Sequence, residues 1–174
     1  MPLPITGKAH GAPASAPFTW FVYGSSLDPA AFGEWAASHG YVVPPLTGAR
    51  PGRLMNFKLA FDVASRHWNG PVASLAEAPG HFVEGLLVPM PGEARGLVEH
   101  KEGAVSGLYV ACEVVVAPVG GGLPVAALAW RAAPGKRLPK EGRPAAAYLE
   151  VLLAGARARG LSAEWQAKLA AMGR

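Results

Sequence analysis

The chain has 174 residues, 51% of them hydrophobic, and a formal charge of +4. That is enough for one domain with a proper core, and no apolar run is long enough to cross a membrane as a helix. A single cysteine, Cys112, excludes an internal disulfide framework and suits a reducing, cytoplasmic setting.

Met1 to Pro17 is rich in Pro, Ala and Gly and lacks the basic and apolar regions of a signal peptide. It reads as a flexible lead-in (1–17) to one domain over 18–174. The apolar, aromatic run Phe18 to Tyr23 predicts a buried strand. It breaks at Gly24 into Ser25 and Ser26. Asp28 then reads as an N-cap with Pro29 at the first helical position. A strand, a tight Gly-Ser loop and a helix can aim several backbone N–H groups at one point, which makes an oxyanion or anion site.

The helix should run from Pro29 to His39 and stop at Gly40, with Tyr41 to Leu46 extended. Arg53 to Phe61 alternates as a strand with one wet side. Ser65 to Pro71 is loop chemistry. Val72 to Glu77 and His81 to Val88 predict two strands joined by a turn at Ala78-Pro79-Gly80. A weak helical pattern over Gly92 to Lys101 ends at Glu102-Gly103. Leu108 to Val116 and Pro124 to Trp130 predict a hairpin turning at Gly120-Gly121-Gly122. Pro144 opens a helix that Gly160 stops, and Ser162 caps a last one through Met172. Six or seven strands of antiparallel character with terminal helices predict an α+β fold around a small, closed sheet.

The basic stretch from Arg131 through Lys136, Arg137 and Lys140 to Arg143 has no interleaved aromatics and matches no nucleic-acid module. It reads as a solvated loop, or as one that attracts a small carboxylate. The five histidines, His10, His39, His67, His81 and His100, show no ligand spacing, so no metal site is expected. There is no G-x-S-x-G elbow to make Ser25 or Ser26 a nucleophile. Cys112, among valines, reads as an inert core thiol.

Glu102 is the distinctive carboxylate. It follows a helix, where the carbonyl end of the dipole disfavours negative charge. If it is also desolvated, its proton affinity rises towards neutrality, as an acid/base requires. The alternative is an exposed C-terminal glutamate. Glu77, Glu84 and Glu99 have weaker contexts. Tyr109 and Tyr148, flanked by apolar residues, read as core tyrosines with hydroxyls satisfied at an edge.

Together these pieces resemble the γ-glutamylcyclotransferase superfamily. Tyr23-Gly24-Ser25-Ser26-Leu27 is similar to its YGSNL loop. Phe57 to Phe61, Trp68-Asn69-Gly70 and Val72-Ala73 resemble its F-x-L-x-F … W-x-G-G-x-A segment, and Val83 to Leu87 its V-x-G-V-x strand. Glu102-Gly103-Ala104-Val105-Ser106-Gly107-Leu108-Tyr109 resembles the E-G-x-x-S-G-x-Y of the γ-glutamyl-amino-acid branch. Pro144 to Tyr148, Gly155-Ala156 and Gly160-Leu161 resemble its C-terminal helices.

The resemblance implies a compact, mixed or antiparallel β-barrel flanked by helices. The implied reaction is attack of a substrate's α-amine on its own γ-amide, releasing 5-oxoproline and an amino acid or amine. Glu102 would be the acid/base. Tyr23, Gly24, Ser25, Ser26, Leu27, Tyr109 and Tyr148 would bind the substrate. No cofactor is implied. The expected partners are the small γ-glutamyl substrate and at most a second copy in a homodimer, with no nucleic acid and no membrane.

The sequence departs from the family pattern twice. Ser26 stands where the family has Asn, and Val98 where it often has Asp, which puts loop bracing, specificity and the bracing of the helix in question. Two other readings stay open: a non-catalytic binding module of the same fold, and a tailored removal of a γ-glutamyl group in biosynthesis.

Overall fold

A computed structural model describes residues 16–174. All but the last two residues of the expected lead-in lie outside that range. Five strands form a closed barrel in the order β1-β3-β2-β4-β5: β1 (Phe18–Val22), β2 (Arg50–Ser65), β3 (Gly70–Met90), β4 (Tyr109–Pro118) and β5 (Val125–Ala132). Helices α1 (Pro29–Ser38), α2 (Arg95–Lys101), α3 (Ala146–Ala158) and α4 (Ala163–Ala171) flank it. The α+β barrel with flanking helices matches the expected class.

Closure depends on β1. It pairs antiparallel with β3, from Phe18 opposite Met90 to Val22 opposite Leu86, and touches β5 in parallel at Trp20–Leu128. Trp20, Phe21, Leu75, Leu87 and Trp130 belong to the hydrophobic core and are almost wholly buried. Closing the sheet in this way removes the exposed edges that an open sheet would carry.

Among the described residues the strand count is five, not six or seven. Val72 to Glu77 and His81 to Val88 are halves of one strand, because both pair with β2. Between Met55–Phe82 and Phe57–Glu77 the register slips, so one residue of β2, Asn56, faces four of β3. The Pro79-Gly80 chemistry therefore makes an outward bulge and no reversal. Asn56 has φ 63°, and its Oδ1 accepts the Gly80 N–H at 3.1 Å.

β2 is also longer at both ends than its alternation suggests. A second irregularity, between Phe61 and Val63, leaves Asp62 without a partner on β3, and Asp62 is buried. The Asp62 side chain accepts from Arg137 at 2.5 Å, and Arg137 also donates to the Leu75 carbonyl. The basic stretch is thus pinned along β2 at its centre.

Glu84, a weak candidate in the sequence, is fully buried. Its carboxylate accepts from Arg53 Nε and from the Ser162 N–H and hydroxyl. Ser162 in turn caps α4 through the Trp165 N–H. Glu84 therefore joins barrel to terminal helix, and its charge is satisfied by structure.

Candidate active site

After β1 the chain passes Gly24 into a single 3₁₀ turn, Ser25–Leu27. The first N–H groups of such a turn have no intrahelical acceptor. Here they belong to Ser25 and Ser26, and both residues line a cavity of about 880 Å³. Asp28 caps α1 by accepting the Ala30 N–H at 3.3 Å, as its sequence context predicts.

Helix α3 supports the turn from behind. A Cβ at Gly155 would lie 2.6 Å from Leu27 Cβ and from the Asp28 nitrogen, so only glycine allows this approach. Arg159 Nε also donates to the Leu27 carbonyl at 3.1 Å. Leu27 is buried beneath the turn and is not on the cavity wall. Of the expected binding set, Tyr23, Gly24, Ser25, Ser26, Tyr109 and Tyr148 do line the cavity, together with Glu102.

Glu102 is the C-cap of α2. Gly103, at φ 74°, takes the left-handed conformation that lets the chain leave the helix, and its carbonyl accepts the Ser106 hydroxyl at 2.9 Å. That turn leads into Tyr109 and β4. Val98, where the missing polar group put the bracing of the helix in question, is wholly buried in the core. The helix carries an Arg95–Glu99 ion pair at 2.6 Å, and the Arg95 guanidinium lies over the Phe18 and Trp130 rings.

The Glu102 carboxyl is half-buried and accepts Trp20 Nε1–H at 3.1 Å. Burial pushes its pKa up to about 7, against the opposing pull of the Lys101 charge and the Trp20 hydrogen bond. Desolvation outweighs both. A carboxyl group poised there exchanges protons in either direction near neutral pH.

The tyrosines brace the wall. Tyr23 donates its hydroxyl to the Trp130 carbonyl. Tyr109 donates to the Ala73 carbonyl at 2.7 Å, and Tyr148 accepts the Ala73 N–H at 3.1 Å. Burial is the main cause that pushes all three hydroxyls above their usual range, which keeps them neutral. Tyr109 and Tyr148 hold Ala73 of β3 from its carbonyl and its N–H, Tyr23 ties the wall to β5, and only Tyr148 keeps its hydroxyl proton to offer a ligand.

Sequence reasoning missed Lys101 and the β2–β3 hairpin as parts of the site. Lys101 lines the cavity and donates to Ser25 Oγ at 3.2 Å. Its place next to Glu102 was the available signal. The hairpin brings Trp68 against Tyr148 at 5.3 Å between ring centres. From the basic stretch, Leu138 reaches the wall, while Arg137 is committed to Asp62 and Leu75.

Cys112 is half-buried against the core, less enclosed than expected, and burial raises its pKa while Arg131 opposes. His39 and His100 pack with Trp35 and Tyr41 in an aromatic group on the far side of Lys101. Among the described residues no cluster of metal-ligating side chains occurs.

Comparison with known proteins accords with this architecture. The model of the AIG2-like family matches residues 82–169. The chain is 31% identical to the γ-glutamylcyclotransferase of Bos taurus over 67% of its own length and 62% of that protein's. It is also 31% identical to the Homo sapiens protein of the same name, over 69% of its own length and 63% of that protein's. The chain thus spans less than two thirds of the length of either relative. A solved γ-glutamyl cyclotransferase structure superposes with a TM-score of 0.71 at 26% identity, covering 89% of this chain and 87% of the other. The chain belongs to the AIG2-like family, within the γ-glutamylcyclotransferase-like superfamily.

Proposed function

We propose that this protein cyclises γ-glutamyl amides, releasing 5-oxoproline and an amino acid or amine. The observation that carries the reading is Glu102, a carboxyl with pKa about 7, on the wall of the same cavity as Ser25 and Ser26, the residues that open the 3₁₀ turn.

In this reading the substrate's α-ammonium gives a proton to the Glu102 carboxylate. The freed amine then attacks the γ-carbonyl, and the carbonyl oxygen becomes an oxyanion facing the Ser25–Ser26 turn. As the amide C–N bond breaks, protonated Glu102 gives its proton to the departing nitrogen. The second ammonium proton follows through the same carboxylate, so the amine leaves as an ammonium ion and the ring nitrogen keeps one hydrogen.

Magnitudes favour the arrangement. An ordinary glutamate would be a poor base for the substrate's ammonium group. Raising Glu102 to about 7 narrows that mismatch by about 3 kcal/mol. Backbone donors at the oxyanion are worth about 3 kcal/mol each. Nucleophile and electrophile share one molecule, so the enzyme mainly holds a folded rotamer.

The test is a panel of γ-glutamyl-L-alanine, a γ-glutamylamine and glutathione, each assayed for 5-oxoproline. Release from at least one supports the reading. Tight binding with no 5-oxoproline from any would favour the binding-module alternative.

A further inference from the structure

Lys101 is an ammonium group that the proton relay does not use. Its Nζ is held at Ser25 Oγ, 3.2 Å away, and lies 5.4 Å from the centre of the Trp35 ring. No ion pair among the described residues includes it. Burial lowers its proton affinity, and the neighbouring Glu102 charge only partly restores it. A half-buried cation of this kind, without a paired carboxylate, gains from an incoming anion.

The chemistry of the ligand fixes where such an anion would come. In a γ-glutamyl compound the α-amine and α-carboxylate share one carbon, so their polar atoms lie roughly 3 Å apart. If the amine reaches Glu102 and the γ-carbonyl reaches the Ser25–Ser26 turn, the α-carboxylate must sit beside both. Lys101 adjoins Glu102 in the chain and touches Ser25. The other basic side chains at the cavity, Arg66 and His67, are exposed on the β2–β3 hairpin.

We propose that Lys101 recognises the α-carboxylate of the substrate and so sets the cavity's specificity for an unmodified γ-glutamyl head. This rests on the reading of the site as a γ-glutamyl cyclotransferase centre. An α-carboxylate gives the ammonium the partner it lacks, and the Ser25 hydroxyl keeps the nitrogen aimed. A head group with its α-carboxyl amidated would leave the ammonium unpaired.

The experiment compares wild type with Lys101→Met and Lys101→Arg. Substrates are γ-glutamyl-L-alanine and its α-carboxamide analogue. Losing a charge-assisted contact should raise KM for the carboxylate substrate roughly 10- to 100-fold in Lys101→Met. The lysine charge also holds down the Glu102 pKa, so both constants are read from full pH profiles. Any change in kcat should be shared by the two substrates, the KM rise should be confined to the carboxylate one, and Lys101→Arg should recover most of that loss.

An equal KM rise for both substrates would mean that Lys101 only braces Ser25, and it would overturn the proposal. So would a fall in kcat with KM unchanged, which would assign the lysine to the chemistry. Calorimetry with 5-oxoproline and its amide gives the same discrimination without turnover. If wild type turns over no γ-glutamyl compound, the functional reading fails, and the calorimetry still decides Lys101. Binding of 5-oxoproline that is absent, or no weaker in Lys101→Met, would overturn the proposal.

Discussion

Replacing Glu102 by glutamine should stabilise the protein at alkaline pH. In the folded state the carboxyl titrates at about 7, against 4.5 as an unperturbed group. The folded protein therefore holds this proton more tightly than the unfolded chain does. Between 4.5 and about 7 the unfolded chain loses its proton first, so wild-type stability falls as pH rises through that window and levels off above it. The total corresponds to about 3 kcal/mol. Glutamine keeps the shape and the acceptor for Trp20 but carries no charge to desolvate. Its advantage should be near zero at pH 4.5 and about 3 kcal/mol at pH 8. Urea unfolding of both proteins at the two pH values measures the difference. If the difference is the same at both, or if wild type is the more stable at pH 8, then burial does not dominate the state of Glu102.

Further consequences follow from the same contacts. Trp20→Phe removes a hydrogen bond that favours the charged carboxylate, so the acidic limb of the pH profile of kcat/KM should move to higher pH. Gly155→Ala places a methyl group 2.6 Å from Leu27 Cβ. It should cost about 1–3 kcal/mol in denaturant unfolding and raise KM by displacing the Ser25–Leu27 turn. Tyr109→Phe leaves the Ala73 carbonyl without its side-chain donor, and unfolding should register a loss of about 1–2 kcal/mol.

What could be read from the residues, and what could not, divides along physical lines. Asp28 as cap, Pro29 as first helical residue and the glycine-rich β4–β5 turn are local effects, decided by a few neighbouring residues. Continuity of β3 was hidden because Pro79 and Gly80 have the chemistry of a turn. Only pairing of both halves with β2 shows that the chain does not reverse there. The dipole argument drew attention to Glu102, but its elevated pKa comes mainly from burial created by the folded chain. Apart from its place beside Glu102, nothing local marks Lys101; the fold brings Ser25, 76 residues away in sequence, to its nitrogen. Leu27 shares the loop motif, yet a 3₁₀ turn sends its side chain into the core and away from the cavity.

The central claim is that Glu102 carries the protons of a γ-glutamyl cyclisation. Its most direct test is 5-oxoproline release from γ-glutamyl-L-alanine near neutral pH, by wild type and Glu102→Gln, with near-UV circular dichroism confirming that both are folded. The account predicts release by wild type and a loss of about a thousandfold in the variant. Near-full turnover by folded Glu102→Gln would contradict it.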